Sequence, residues 1–84
     1  MLTTQQKIYN ILKQEFDPEN LIVTDDSDEH IGHAGSADGR GHFTVELTCA
    51  QLTRLSRIQS HRLIYAALGD LMQKEIHALR IVIS

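Results

Sequence analysis

Residues 25–41 contain four glycines, two serines and almost no large apolar side chain, a composition that disfavours both a helix and a packed strand. We expect this segment to be a long, mobile loop between two folded parts of the chain. Loops longer than about 12–15 residues are uncommon in compact domains and are usually functional or disordered. Two of the five histidines, His30 and His33, lie in this segment, so it is a candidate functional loop.

One helix and one strand are predicted before the loop. Thr3 and Gln6 have the spacing of a capping box, and apolar residues then recur at helical spacing, which predicts a helix over about residues 4–16. Pro18 ends this helix, because proline lacks an amide hydrogen and pushes the preceding residue out of the α region. Residues 21–24 are short, apolar and β-branched, and they predict the first strand.

The second strand has the clearest pattern in the sequence. From His42 to Thr48, polar and apolar residues alternate with a period of two. This alternation predicts a strand whose Phe43, Val45 and Leu47 face the core, because successive side chains of a strand point to opposite faces.

Two helices and a third strand are predicted to follow. Leu52 and Leu55 indicate a short helical turn, and Ser60 is predicted to cap a longer helix. The apolar stripe of that helix consists of Ile64, Ala67, Leu68, Leu71 and Met72. Residues 78–83 close the chain as the third strand.

The predicted order is helix, strand, strand, short helix, helix, strand, which indicates an α+β fold with a three-stranded mixed sheet and helices packed on one face. We expect residues 1–84 to form a single domain, since a chain of this length cannot build two independent hydrophobic cores. Hydrophobic residues at 42% and charged residues at 23% are typical of a globular protein and argue against a wholly disordered chain.

The topology places a third histidine near the loop. If the two helices form a crossover connection, the third strand runs parallel to the second and starts at the same end of the sheet. His77 is predicted to lie just before the third strand, whereas the second strand starts directly after the loop. We therefore expect His77 to lie at the same edge of the domain as His30 and His33.

Convergent imidazoles predict a partial metal site. Neutral histidine binds zinc, copper, iron and nickel, but two such ligands are too few for a closed structural zinc site. Cys49 is the only cysteine, so it can form neither an internal disulfide nor a paired-cysteine site, and it is most simply a small apolar residue at a strand end. A metal centre that a second protein completes is the natural expectation.

Each histidine also has a purely structural interpretation. His77 could be a helix C-terminal residue that the macrodipole favours, and His30 and His33 could be solvated loop side chains. His42 is expected to be exposed on the polar face of the second strand. His61 is expected to be structural or part of a basic patch.

A basic stretch supports a different function. The formal net charge is −3, yet residues 53–69 carry Arg54, Arg57 and Arg62 with no acidic residue. With His61, these arginines could contact nucleic-acid phosphates, although such a group is more often a solvated helix face.

The sequence has no feature that favours an enzyme or a membrane protein. It shows no recognisable nucleophile motif and no nucleotide-binding glycine turn, so we expect a protein without enzymatic activity. No apolar run approaches the roughly 18 residues that span a bilayer, and the start of the chain has no secretory signal pattern. We expect a soluble, cytoplasmic protein that does not bind a membrane.

Four blocks in order resemble the BolA family across almost the whole chain. They are TDDSDEHIGHAG at 24–35, HF at 42–43, SHRLIY at 60–65 and HAL at 77–79. The resemblance implies a fold similar to a class II KH domain and a partnership with monothiol glutaredoxins. It also implies a [2Fe-2S] cluster shared with glutaredoxin and glutathione, with His77 as one ligand and either His30 or His33 as the second.

The isolated protein is expected to hold no cofactor and to be a monomer or a weak dimer. The function that the resemblance implies is that of an adaptor in iron-sulfur cluster trafficking or iron sensing. A small transcriptional regulator that binds DNA through Arg54, Arg57, His61 and Arg62 is the alternative.

Overall fold

The computed structural model describes residues 1–27 and 40–84, so His30, His33 and most of the predicted loop lie outside the described residues. Seven elements follow one another along the described chain. They are α1 (Thr4–Phe16), β1 (Asn20–Asp25), β2 (Gly41–Thr48), α2 (Ala50–Thr53), α3 (Arg57–Leu68), α4 (Leu71–Lys74) and β3 (Ile76–Ile83).

Helix α1 has the predicted bounds. The Thr3 hydroxyl accepts a hydrogen bond from the Gln6 amide while the Gln6 side chain accepts one from the Thr3 amide, so the predicted capping box is confirmed. Asp17 ends the helix in the left-handed conformation, with φ of 44°. The helix packs against the sheet through Ile8, Leu12 and Phe16, which are buried.

The sheet has the predicted topology. Strand β2 is central, pairs antiparallel with β1 and pairs parallel with β3. Phe43, Val45 and Leu47 are buried in one core with Ile64 and Leu68 of α3, as the alternation predicts. Because β2 and β3 are parallel, both strands begin at the same edge of the sheet, with Gly41 paired to Ile76. We call this edge the strand-entry edge.

The predicted long helix is wrong at both ends. Ser56, not Ser60, caps α3, and it forms a second capping box with Gln59. Ser60 lies inside the helix, buried, with its hydroxyl donating to the Arg57 carbonyl. Gly69 ends the helix at a φ of 54°, so Leu71 belongs to the separate short helix α4, together with Met72.

None of the helices in the described part of the chain has the length and apolar character needed to cross a membrane.

Candidate functional site

His77 lies inside β3 at a bulge, not before the strand as predicted. Gly41 pairs with Ile76 and His42 pairs with Ala78, which leaves His77 as an extra residue on β3. A bulge of this kind places two successive side chains on the same side of the sheet. Ile76 is buried, whereas His77 and Ala78 are both exposed. The irregularity therefore turns the imidazole of His77 outward at the strand-entry edge.

His42 lies beside His77, and the sequence analysis did not identify it as a functional residue. The two rings have centroids 5.0 Å apart and are tilted by 48°. His42 is half-buried, with its Nε2 atom inaccessible to solvent, so the prediction of an exposed side chain is wrong. The topology that brings His77 to this edge brings His42 there too, because both residues stand near the starts of parallel strands.

Backbone hydrogen bonds hold the strand-entry edge together. The Gly41 amide donates to the Glu75 carbonyl at 3.0 Å, and the Asp26 amide donates to the His42 carbonyl at 2.7 Å. The His42 amide donates to the Ser27 hydroxyl at 3.2 Å. Ser27 and Glu75 therefore both bond to the start of β2, where His42 lies.

Gly41 allows this close packing. A Cβ atom at this position would lie 2.7 Å from Cε2 of Phe43 and 2.8 Å from Oγ of Ser27. Both distances are well inside van der Waals contact, so a side chain at residue 41 would displace its neighbours at the entry to β2.

Arg40 contacts His77 directly. Its Nη2 lies 3.4 Å from Nδ1 of His77, and its Nη1 donates to the Gln73 carbonyl at 3.5 Å. One guanidinium group thus touches both the imidazole and the end of α4. The described chain reaches the strand-entry edge from both sides of residues 28–39, through Ser27 on one side and Arg40 on the other.

Glu75 ties the start of β3 to α1. The Thr4 hydroxyl donates to its carboxylate at 2.7 Å, and the Lys7 ammonium forms an ion pair with the same carboxylate at 3.0 Å. The hydrogen bonds from Thr4 and then Lys7 lower the pKa of Glu75 below its usual value, because they favour the charged form.

The described residues supply only part of a metal site. Within residues 1–27 and 40–84, no group of three or more His, Cys, Asp or Glu side chains is placed to hold a metal ion. Among the described residues, the imidazoles of His42 and His77 lie together at the strand-entry edge. Whether His30 or His33 joins His77 stays a prediction, because both lie outside the described residues.

A separate groove lies between α3 and β3. It has a volume of about 570 Å³ and is lined by Arg57, Ser60, His61 and Tyr65 of α3 and by residues 80–83 of β3. The structure therefore brings the predicted residues Arg57 and His61 together, and it adds Arg80, which the sequence analysis missed. Arg54 and Arg62 are exposed and are not among the lining residues.

Aromatic groups accompany the arginines in this groove. His61 and Tyr65 lie one helical turn apart, and their rings meet edge to face with centroids 6.5 Å apart.

Arg80 could have been found from the parallel pairing, because that topology makes β3 an edge strand next to the crossover helix α3.

Known proteins are similar to this chain in sequence. SufE-like protein 1, chloroplastic/mitochondrial, of Arabidopsis thaliana is 41% identical over 81 residues, which cover 90% of this chain and 22% of that protein. The DNA-binding transcriptional regulator BolA of Haemophilus influenzae is 30% identical over 78 residues, covering 93% of this chain and 73% of that protein. The present chain thus spans less than a quarter of the first relative.

A solved structure and a family model agree with these relatives. The structure of BolA1 from Arabidopsis thaliana matches with a TM-score of 0.83 at 28% identity, covering 100% of this chain and 93% of that one. The family model described as BolA-like protein matches residues 3–84. The chain therefore belongs to the BolA family, as its histidine-containing sequence blocks indicated.

Proposed function

We propose that this protein is a non-enzymatic adaptor that binds a monothiol glutaredoxin and shares a [2Fe-2S] cluster with it, in iron-sulfur cluster trafficking or iron sensing. The observation that carries the proposal is the position of His77. His77 is exposed at a bulge on β3, at an edge where a second protein can approach its imidazole.

The chemistry of the donors fits this role. Imidazole is a suitable ligand for iron, and the small number of donors that residues 1–27 and 40–84 supply at this edge suits a centre that other groups complete. In the proposed complex, a glutaredoxin cysteine and glutathione supply the thiolates. When bound, the cluster supplies iron as a redox centre. Histidine ligation raises the reduction potential of such a cluster relative to thiolate ligation, as in Rieske centres.

The second histidine ligand remains a choice between His30 and His33, which rests on the family resemblance. The strand-entry edge supports either choice, because Ser27 and Arg40, which flank residues 28–39, both lie beside the histidine pair. The ring of His42 lies next to that of His77, and we do not assign His42 as a ligand.

Reconstitution with a partner tests the adaptor function. The protein is mixed with a monothiol glutaredoxin and glutathione, the cluster is assembled without oxygen, and the complex is isolated by size-exclusion chromatography. A heterodimer whose visible absorption and circular dichroism differ from those of glutaredoxin alone is expected. A cluster that stays on the glutaredoxin homodimer would contradict the proposal.

Nucleic-acid binding is a second candidate function, which the groove between α3 and β3 favours. Arg57 and Arg80 line it from opposite sides, and His61 and Tyr65 offer rings on which bases can stack. The transcriptional regulator from Haemophilus influenzae is described as DNA-binding, which supports the same proposal for this chain.

Salt dependence tests the second candidate. If Arg57 and Arg80 contact phosphates, Arg57→Gln and Arg80→Gln should each reduce the salt dependence of DNA binding. The slope of the logarithm of the association constant against the logarithm of the salt concentration should become smaller in magnitude by about 1 in each variant. Fluorescence anisotropy with a labelled DNA duplex measures this slope. Arg62→Gln is the matched control, because Arg62 does not line the groove. Equal effects of all three changes would contradict a phosphate site in the groove.

A further inference from the structure

The guanidinium of Arg40 contacts a ring nitrogen of His77. Its Nη2 atom lies 3.4 Å from Nδ1 of the imidazole. Arginine is a donor only, so a hydrogen bond between these two atoms requires Nδ1 to be the acceptor. We propose that Arg40 is a latch on His77, which keeps the imidazole from binding bare metal ions until a partner releases it. This inference rests on the proposed function in one respect, namely that His77 is a metal ligand.

The latch follows from the chemistry of imidazole. A neutral ring has one protonated nitrogen and one acceptor nitrogen, and a metal can bind only the acceptor. While Nδ1 accepts from Arg40, the proton is on Nε2. In this state neither nitrogen can bind a metal, because Nδ1 is occupied and Nε2 is protonated. Ligation therefore requires that Arg40 withdraws or that the ring changes tautomer.

A further contact of Arg40 holds its guanidinium beside His77. Its Nη1 donates to the Gln73 carbonyl at 3.5 Å, so the guanidinium bridges α4 and the imidazole. Both contacts are long for hydrogen bonds from nitrogen, so each of them is weak. Residue 40 also immediately precedes β2, whose first residue, Gly41, is held by the Glu75 carbonyl.

The charge of Arg40 adds selectivity to the latch. A guanidinium near the imidazole repels a bare divalent cation, whereas it attracts a metal centre that carries thiolate ligands and hence negative charge. The same residue thus disfavours free zinc at His77 and favours the anionic centre that the adaptor function requires. Arg40 is in this sense a specificity-determining residue and not a ligand.

The free protein suffices to test the latch. Long-range ¹H–¹⁵N NMR spectra at pH 8 report which ring nitrogen of His77 carries the proton, and titration with zinc ions alone gives the dissociation constant from the His77 signals. The variants are Arg40→Gln and, as a control that removes one distant positive charge, Lys13→Gln. Lys13 lies in the last turn of α1 and pairs with Asp17 at 3.5 Å.

In the wild type and in Lys13→Gln, we expect the proton of His77 mainly on Nε2 and weak zinc binding. In Arg40→Gln, the preference for that tautomer should decrease and zinc should bind about three- to tenfold more tightly, the range for loss of one hydrogen bond. A proton on Nδ1 in the wild type would overturn the latch. So would an unchanged tautomer ratio or an unchanged zinc constant in Arg40→Gln.

These measurements use no glutaredoxin and no cluster, so the two proposals can fail separately. A failed reconstitution would contradict the adaptor function and leave the latch result standing. Conversely, a heterodimer with the expected spectrum, combined with an Arg40→Gln variant that behaves like the wild type toward zinc, would overturn only the latch.

Discussion

The rings of His42 and His77 lie with their centroids 5.0 Å apart, each at the start of one of two parallel strands. Their proximity depends on the crossover through α2, α3 and α4, which returns the chain to the edge from which β2 began. The bulge at His77 lies directly opposite the start of β2, where Gly41 and His42 stand. Of the two, His77 is exposed and His42 is half-buried, which suggests different roles.

We predict that His77→Ala removes the spectral features of histidine ligation from the glutaredoxin heterodimer while the fold is retained. The side chain is exposed, and surface substitutions usually change the free energy of unfolding by about 0.5 kcal/mol or less. Visible circular dichroism of the complex and far-UV circular dichroism of the free protein are the measurements. His77→Cys is the matched control, because a thiolate should restore a cluster with an altered spectrum. An unchanged heterodimer spectrum in His77→Ala would show that His77 is not a ligand.

His42 should act through its ring and not through a metal bond. We therefore expect His42→Phe to preserve the heterodimer spectrum better than His42→Ala, since phenylalanine keeps an aromatic ring next to His77. The measurement is the intensity of the visible circular dichroism at equal protein concentration. Equal, complete loss of the signal in both variants would instead identify His42 as a ligand.

Gly41→Ala should destabilise the protein by about 1–3 kcal/mol, the usual cost of forcing extra atoms into a packed site. The new Cβ would collide with the Phe43 ring and the Ser27 hydroxyl. Urea unfolding of the single variant and of Gly41→Ala combined with Phe43→Leu measures the effect. In the Phe43→Leu background the cost of the alanine should be smaller, and full additivity of the two changes would rule out the collision with the ring.

The link from Glu75 to α1 should make stability depend on pH in the acid range. The pKa of Glu75 is lower in the folded state, so its contribution is present above the unfolded value of about 4.3 and is lost as the pH falls below that value toward the folded pKa. Consequently, Glu75→Gln should lower the free energy of unfolding more at pH 7 than at pH 3. Thr4→Val should reduce this pH dependence, since the Thr4 hydroxyl is the first donor to the carboxylate. Urea unfolding at the two pH values is the measurement. If Glu75→Gln lost the same free energy of unfolding at pH 3 and at pH 7, the predicted pH dependence would be wrong.

Two isoleucines of α3 give a matched test of the core. Ile64 is fully buried, whereas Ile58 is 65% exposed on the same helix. Ile64→Ala is expected to cost about 2–5 kcal/mol of unfolding free energy, and Ile58→Ala should cost far less. Similar losses in thermal and urea unfolding would mean that α3 packs through a different face.

The sequence predicted the local elements well where a periodic pattern and a cap coincide. Helix α1 has both a capping box and a proline stop, and its predicted bounds are correct. The period-two pattern of β2 likewise identified its buried face. The start of α3 was misplaced because Ser60 was chosen over Ser56, although Ser56 and Gln59 have the spacing of a capping box.

The sequence by itself also determined the family and the position of His77 at one edge of the sheet, because chain order and the parallel direction of strands joined by a crossover are enough for that. Only the tertiary structure decided that a bulge turns His77 outward, that His42 lies beside it and that Arg40 touches its Nδ1. The same is true of Arg80 in the groove with Arg57. The physical reason is that capping and periodicity act between residues a few positions apart, whereas these contacts join distant segments whose register depends on the packing of the whole core.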